Sequence, residues 1–155
     1  MMNKKISSLH NLFNDGMVII TEKMSHSSFE LRSSEDLILA GQSWVPSNIQ
    51  AIVCLVHGLG EHIGRFACMA EYMNNNGIGI MGMDLRGHGK SKGPRGHTPS
   101  YDHLLDDLGL LLKKAKTDFP GVPVFLFGHS MGGNIVTNYV LRRSTQGIAG
   151  AIISS

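Results

Sequence analysis

The chain has 155 residues, 42% of them apolar and 17% charged, with a formal net charge of +2 at pH 7. That length and balance suit one globular domain with a real hydrophobic core and exclude the disordered, collagen and coiled-coil classes. Lysines and arginines are scattered among acids and form no basic stripe interleaved with aromatics, so nucleic acid is not an expected partner.

Residues 1–25 are polar apart from Met17 to Ile20 and read as a poorly ordered extension, with the domain proper running over 26–155. The start, Met1 to Leu12, has no apolar run of signal-peptide length, and no later stretch approaches the roughly 20 residues that span a bilayer. Cys54 and Cys68 form no C-x-x-C pair, which argues against a disulfide framework or a zinc knuckle. The expectation is a cytoplasmic protein touching membranes at most peripherally.

From Ser27 the pattern turns β-like, with Phe29 and Leu31 alternating with polar neighbours and Leu37 to Ala40 returning as a hairpin partner. Unbroken apolar runs then follow at Ala51 to Val56, Ile78 to Met83, Val124 to Phe127 and Ile148 to Ile153. Continuous apolar strands are buried on both faces, the mark of a parallel sheet covered by helices. Between them, Gly64 to Asn76 and Tyr101 to Asp118 carry apolar residues at helical spacing, and a third helix begins near Ser130 and runs to Arg143. In the second helix Asp102, Asp106 and Asp107 come early and Lys113, Lys114 and Lys116 late, complementing the helix dipole.

The chemistry is carried by Gly128-His129-Ser130-Met131-Gly132, a G-x-S-x-G string between a buried strand and a helix. A tight strand-to-helix turn strains the serine and pushes its hydroxyl out, and glycines are needed where a Cβ would strike neighbouring backbone. The turn also frees the N–H of Met131 at a helix N-terminus, one donor for a developing oxyanion. The second candidate donor is the N–H of Leu59, in His57-Gly58-Leu59-Gly60 after an earlier strand.

Three blocks, His57 to His62, Asp84 to Ser91 and Gly128 to Gly133, together resemble the monoacylglycerol lipase and lysophospholipase branch of the α/β-hydrolases. The resemblance covers roughly Phe29 to Ser155 and implies an α/β-hydrolase fold, mostly parallel with antiparallel opening strands. It implies an esterase acting on a small lipid ester, with Ser130 as nucleophile and Leu59 and Met131 as oxyanion donors. His57, Gly58, Gly128, His129 and Gly132 would be supporting turn residues. Neither a cofactor nor a metal is expected. The Asp84 to Ser91 loop reads as architecture, with Asp84 and Arg86 satisfying backbone or each other.

In this fold the acid and the histidine follow the serine along the chain, yet after Ser130 the sequence holds no Asp, Glu or His. The reading is therefore a hydrolase truncated after about its sixth strand, lacking cap and C-terminal strands. Its last apolar strand would be an open edge prone to self-association. His57, His62, His88, His97, His103 and His129 lie before or beside the serine and are poor substitutes for the base. Two functions stay open: a lipid-ester hydrolase, or an inert fragment acting as an interaction module.

Two decoys fail on context. Gly77 to Gly82 matches G-x-G-x-x-G but ends a helix and enters a strand, the reverse of a dinucleotide site. His57, Glu61 and His62 sit on a glycine-broken turn without the helical H-E-x-x-H arrangement of a zinc site.

Overall fold

The computed structural model describes residues 24–155. The expected N-terminal extension therefore lies outside the described residues except for Met24 and Ser25, and Ser25 already opens the first strand. Strands β1 (Ser25–Arg32) and β2 (Ile38–Val45) form an antiparallel hairpin in which Phe29 faces Gly41. A Cβ on Gly41 would lie 2.2 Å from the Phe29 ring, so glycine makes room for the aromatic side chain. There follow β3 (Ala51–Val56), a 3-10 turn (Ile63–Phe66), α1 (Ala67–Asn74) and β4 (Ile78–Met83). The chain continues through α2 (Tyr101–Asp118), β5 (Val124–His129), α3 (Met131–Arg142) and β6 (Gly150–Ser154).

The strand order is β1-β2-β4-β3-β5-β6. β2 joins β4 antiparallel, whereas β3–β4, β3–β5 and β5–β6 are parallel. This is the expected α/β architecture with an antiparallel opening. It follows from the texture of the runs, because β3 buries every residue after Ala51 and can do so only with helices on both sides.

Alternate β3 residues point to opposite layers. Ile52, Cys54 and Val56 join Leu105, Leu108, Leu112, Ile135 and Val136 in a core under α2 and α3. Val53 and Leu55 join Trp44, Ile63, Ala70 and Ile80 under α1. Each such fully buried aliphatic side chain contributes about 1.5–3 kcal/mol. Burial pushes the Cys54 thiol up to about 12, while Cys68 is exposed on α1, contrary to the apolar setting its neighbours suggest.

The helix expected over Gly64 to Asn76 is divided, its first turn being the 3-10 segment. Gly77 ends it with φ +74°. The later glycines of the decoy motif serve packing inside β4: a Cβ on Gly82 would lie 2.2 Å from Ile63 Cδ1 and 2.8 Å from the Leu55 carbonyl oxygen. Asp107 also departs from expectation. It is 1% exposed beneath Arg86 and belongs to the core of the turn after β4, not to a dipole-facing surface.

Candidate functional site

At the carboxyl ends of β3, β4 and β5 three turns meet, each held by a different device. The β5 turn is the tightest. Ser130 adopts φ 52° and ψ −118°, a conformation that a non-glycine residue holds only under constraint. The constraint is visible in its neighbours. A Cβ on Gly128 would lie 2.4 Å from the Gly132 carbonyl oxygen, and one on Gly132 would lie 2.1 Å from that of Val56. Both contacts are with backbone, so no side-chain rotation relieves them. The Ser130 N–H donates to the Ser154 carbonyl at 2.7 Å, which ties the turn to β6.

Ser130 is exposed, and among the described residues its hydroxyl has no hydrogen-bond partner. Met131 opens α3, and its N–H, like that of Leu59, is unpaired among the described residues. The His129 ring stands edge-on to that of Phe66, with centroids 6.5 Å apart.

The β3 turn is held by side chains. His57 is fully buried, and its Nε2 accepts the Leu85 N–H at 2.9 Å. Nε2 must then be unprotonated, so Nδ1 carries the proton and donates to the Gly58 carbonyl at 2.7 Å. Burial holds the His57 imidazole below its ordinary pKa, partly offset by the bond to Gly58. With both ring nitrogens committed to backbone, His57 is available neither as a metal ligand nor as a base for Ser130. The Gly58 N–H donates to Glu61 Oε2 at 2.8 Å, and Glu61 Oε1 pairs with Arg65 at 3.0 Å. A Cβ on Gly58 would lie 3.2 Å from Ser130 Cβ, which measures how closely the β3 and β5 turns approach. Leu59, at the apex, is 66% exposed.

The β4 turn is held by charge. Asp84 accepts the N–H groups of Ile63 and Lys90, each at 2.7 Å, so it binds the oxyanion-side segment to its own loop. Arg86 is 3% exposed and forks onto Asp107 at 2.7 and 2.9 Å while reaching Glu35 at 2.8 Å. Of the two expected arrangements, backbone or each other, Asp84 takes the first, while Arg86 takes neither and pairs with acids from the β1–β2 turn and α2. The guanidinium beside Glu35 holds that carboxyl below its ordinary pKa. His103 completes the cluster 3.3 Å from Glu35, and His88 bonds the Arg86 carbonyl at 3.0 Å.

Sequence reasoning placed Ser130, Leu59 and Met131 together, and the three turns do converge. It missed Glu61 as the group that seats Gly58 and Asp107 as the anchor of Arg86. The i,i+4 spacing of Glu61 and Arg65 was a usable signal for the first. Nothing local marks the second, since Asp107 differs from exposed Asp106 only in the direction it faces.

The family model described as serine aminopeptidase, S33, matches residues 47–155. An abhydrolase domain-containing protein of Dictyostelium discoideum is 38% identical over 133 residues, 85% of this chain and 14% of that protein. The phospholipase YtpA of Bacillus subtilis is 33% identical over 73% of this chain and 43% of its own length, and a monoacylglycerol lipase of Mycolicibacterium smegmatis is 37% identical over 64% and 36%. Among solved structures, a carboxyl esterase from Bacillus coagulans superposes with TM-score 0.76 at 28% identity, covering 84% of this chain and 44% of that one. A monoglyceride lipase from Saccharomyces cerevisiae superposes with TM-score 0.68 at 26% identity, covering 92% and 46%. The chain thus spans less than half the length of these relatives.

Proposed function

Since the chain belongs to the serine aminopeptidase S33 family of α/β-hydrolases, on its monoacylglycerol lipase-like branch, we propose that it contributes the nucleophile of a lipid-ester hydrolase. Ser130 attacks the ester carbonyl as its proton passes to a general base that is not among the described residues. The N–H groups of Leu59 and Met131 receive the negative charge that builds on the carbonyl oxygen. Collapse expels the glycerol-type alcohol, which takes up the proton, and leaves the fatty acyl group on Ser130. Water then attacks this acyl-serine, releasing the fatty acid and restoring the hydroxyl. The observation that carries the reading is Ser130 held at φ 52° between β5 and α3, beside two N–H groups that have no partner among the described residues.

Lipid substrates fit better than peptides, although the family description names a peptidase. Four of the five relatives named above are lipases or esterases by name, and the exposed Leu59 gives the oxyanion turn an apolar apex. A second reading, an inert module, has its own observation: residues 131–155 contain no Asp, Glu or His to serve as acid and base. Losing such a base lowers turnover by several powers of ten, so the two readings differ by a measurable margin.

Incubation of the folded protein with a monoacylglycerol, a lysophospholipid and an aminoacyl p-nitroanilide distinguishes them. The expected result is a slow release of fatty acid from either lipid, several powers of ten below that of a hydrolase with its base in place and lost in Ser130→Ala. Faster cleavage of the anilide overturns the lipid reading, and a folded protein that turns over none of the three supports the inert module.

A further inference from the structure

We propose that His57 is a positioning residue that aims the Leu59 N–H at the oxyanion site by gripping the carbonyl of the same peptide unit. The inference deepens the proposed function and rests on it for its catalytic meaning, but its geometry stands alone. In a trans peptide the C=O and N–H point in opposite directions. The carbonyl of Gly58 belongs to the unit that carries the Leu59 N–H, so fixing one fixes the other. His57 Nδ1–H holds that carbonyl at 2.7 Å from the buried side, and the Glu61 N–H adds a second bond at 3.2 Å. The Leu59 N–H is thereby turned away from the His57 ring, and Ser130 lies close to the same turn, its Cβ 3.2 Å from where a Cβ on Gly58 would stand.

What makes the grip directional is the other ring nitrogen. The Leu85 N–H donates to Nε2 at 2.9 Å and so selects the tautomer that donates towards Gly58. The turn after β4 therefore sets the proton position that orients the turn after β3. His88, Asp84 and Glu61 are the titratable groups facing the His57 ring; burial and then His88 favour the neutral imidazole, against the opposing pull of Asp84 and Glu61. Protonating Nε2 would remove the acceptor for Leu85 and break the link between the two turns. A Cβ at position 58 would crowd the same arrangement, standing 3.0 Å from Glu61 Oε2 and 3.2 Å from Ser130 Cβ.

The experiment uses protein labelled with 15N in histidine and backbone. Imidazole nitrogen signals of the wild type are recorded from neutral to acidic pH. The Leu59 amide signal is then compared in wild type, His57→Asn and His57→Gln. An asparagine amide at this position retains a donor towards Gly58, whereas a glutamine retains only an acceptor towards Leu85.

The expected result is an Nδ1–H tautomer, a Leu59 amide near its native position in His57→Asn and a displaced one in His57→Gln. Phosphonylation of Ser130 by a fluorophosphonate should slow about 10-fold or more in the Gln variant and only slightly in the Asn variant, as expected for loss of an oriented oxyanion donor. An Nε2–H tautomer in the wild type overturns the proposal, as does an equal displacement of Leu59 in both variants. If neither variant folds, the wild-type tautomer still decides. Absence of phosphonylation in the wild type counts against the proposed function and leaves the tautomer and amide readings intact as the test of His57.

Discussion

Among the described residues the centre of the sheet and its β6 margin differ sharply in burial. Every β3 residue after Ala51 is buried, and Ile52, Leu55, Ile80 and Leu126 have no exposed surface. On β6, Ile152 is 48% and Ile153 53% exposed. Ser130 lies on the seam between these regions. Its strain is imposed from the centre, through Val56 against Gly132, while its N–H is tied to the margin at Ser154. The comparison teaches that the conformation of the serine turn is set by backbone packed in the core and needs only one bond from the loose side.

The strongest way to break that account is Gly132→Ala. Its Cβ would meet the Val56 carbonyl oxygen at 2.1 Å, a backbone contact that cannot yield locally. We expect the turn to open and fluorophosphonate labelling of Ser130 to fall by about two powers of ten, comparable with loss of an oxyanion donor. Labelling at the wild-type rate would mean the turn is not held from the centre.

Asp107→Ala should come next in size, because it leaves the Arg86 charge buried and half-paired. Breaking a buried pair from one side costs about 3–5 kcal/mol, readable as a lower urea midpoint. Loss of less than about 1 kcal/mol would show that Glu35 alone can hold Arg86.

A smaller effect concerns pH. Because burial holds the folded His57 pKa below its unfolded value, the unfolded chain binds the proton more readily. The His57 contribution to stability is complete above the unfolded pKa of about 6.5 and is lost as pH falls through the lower folded value. Urea melts across that window should show stability rising with pH, with a shallower slope in His57→Asn. An unchanged slope would assign the dependence to other groups.

The smallest expected change in stability is at the margin. Ile152 is 48% exposed among the described residues, so Ile152→Lys should alter the urea midpoint by about 0.5 kcal/mol or less. A loss above about 2 kcal/mol would show that Ile152 is packed as the centre is.

Much of this was legible in the sequence because it is local. The runs Ala51 to Val56 and Ile78 to Met83 coincide with β3 and β4, and Tyr101 to Asp118 with α2, since apolar texture and helical spacing are short-range signals. Gly128 and Gly132 could be read as steric necessities from the G-x-S-x-G string alone. The role of Asp107 could not, because it depends on Arg86, a side chain of another turn, lying opposite. The same limit applies to His57: its place in a turn was readable, but its tautomer depends on Leu85, 28 residues away in the chain.

The central claim is that Ser130 is a nucleophile poised by its turn, and the most direct measurement is mass-spectrometric mapping of the adduct after treating the folded protein with a fluorophosphonate. The account predicts a single phosphonyl group on Ser130, lost in Ser130→Ala and unaffected by Ile152→Lys. A folded protein that stays unmodified, or one modified with equal ease at Ser27 or Ser100, would contradict it.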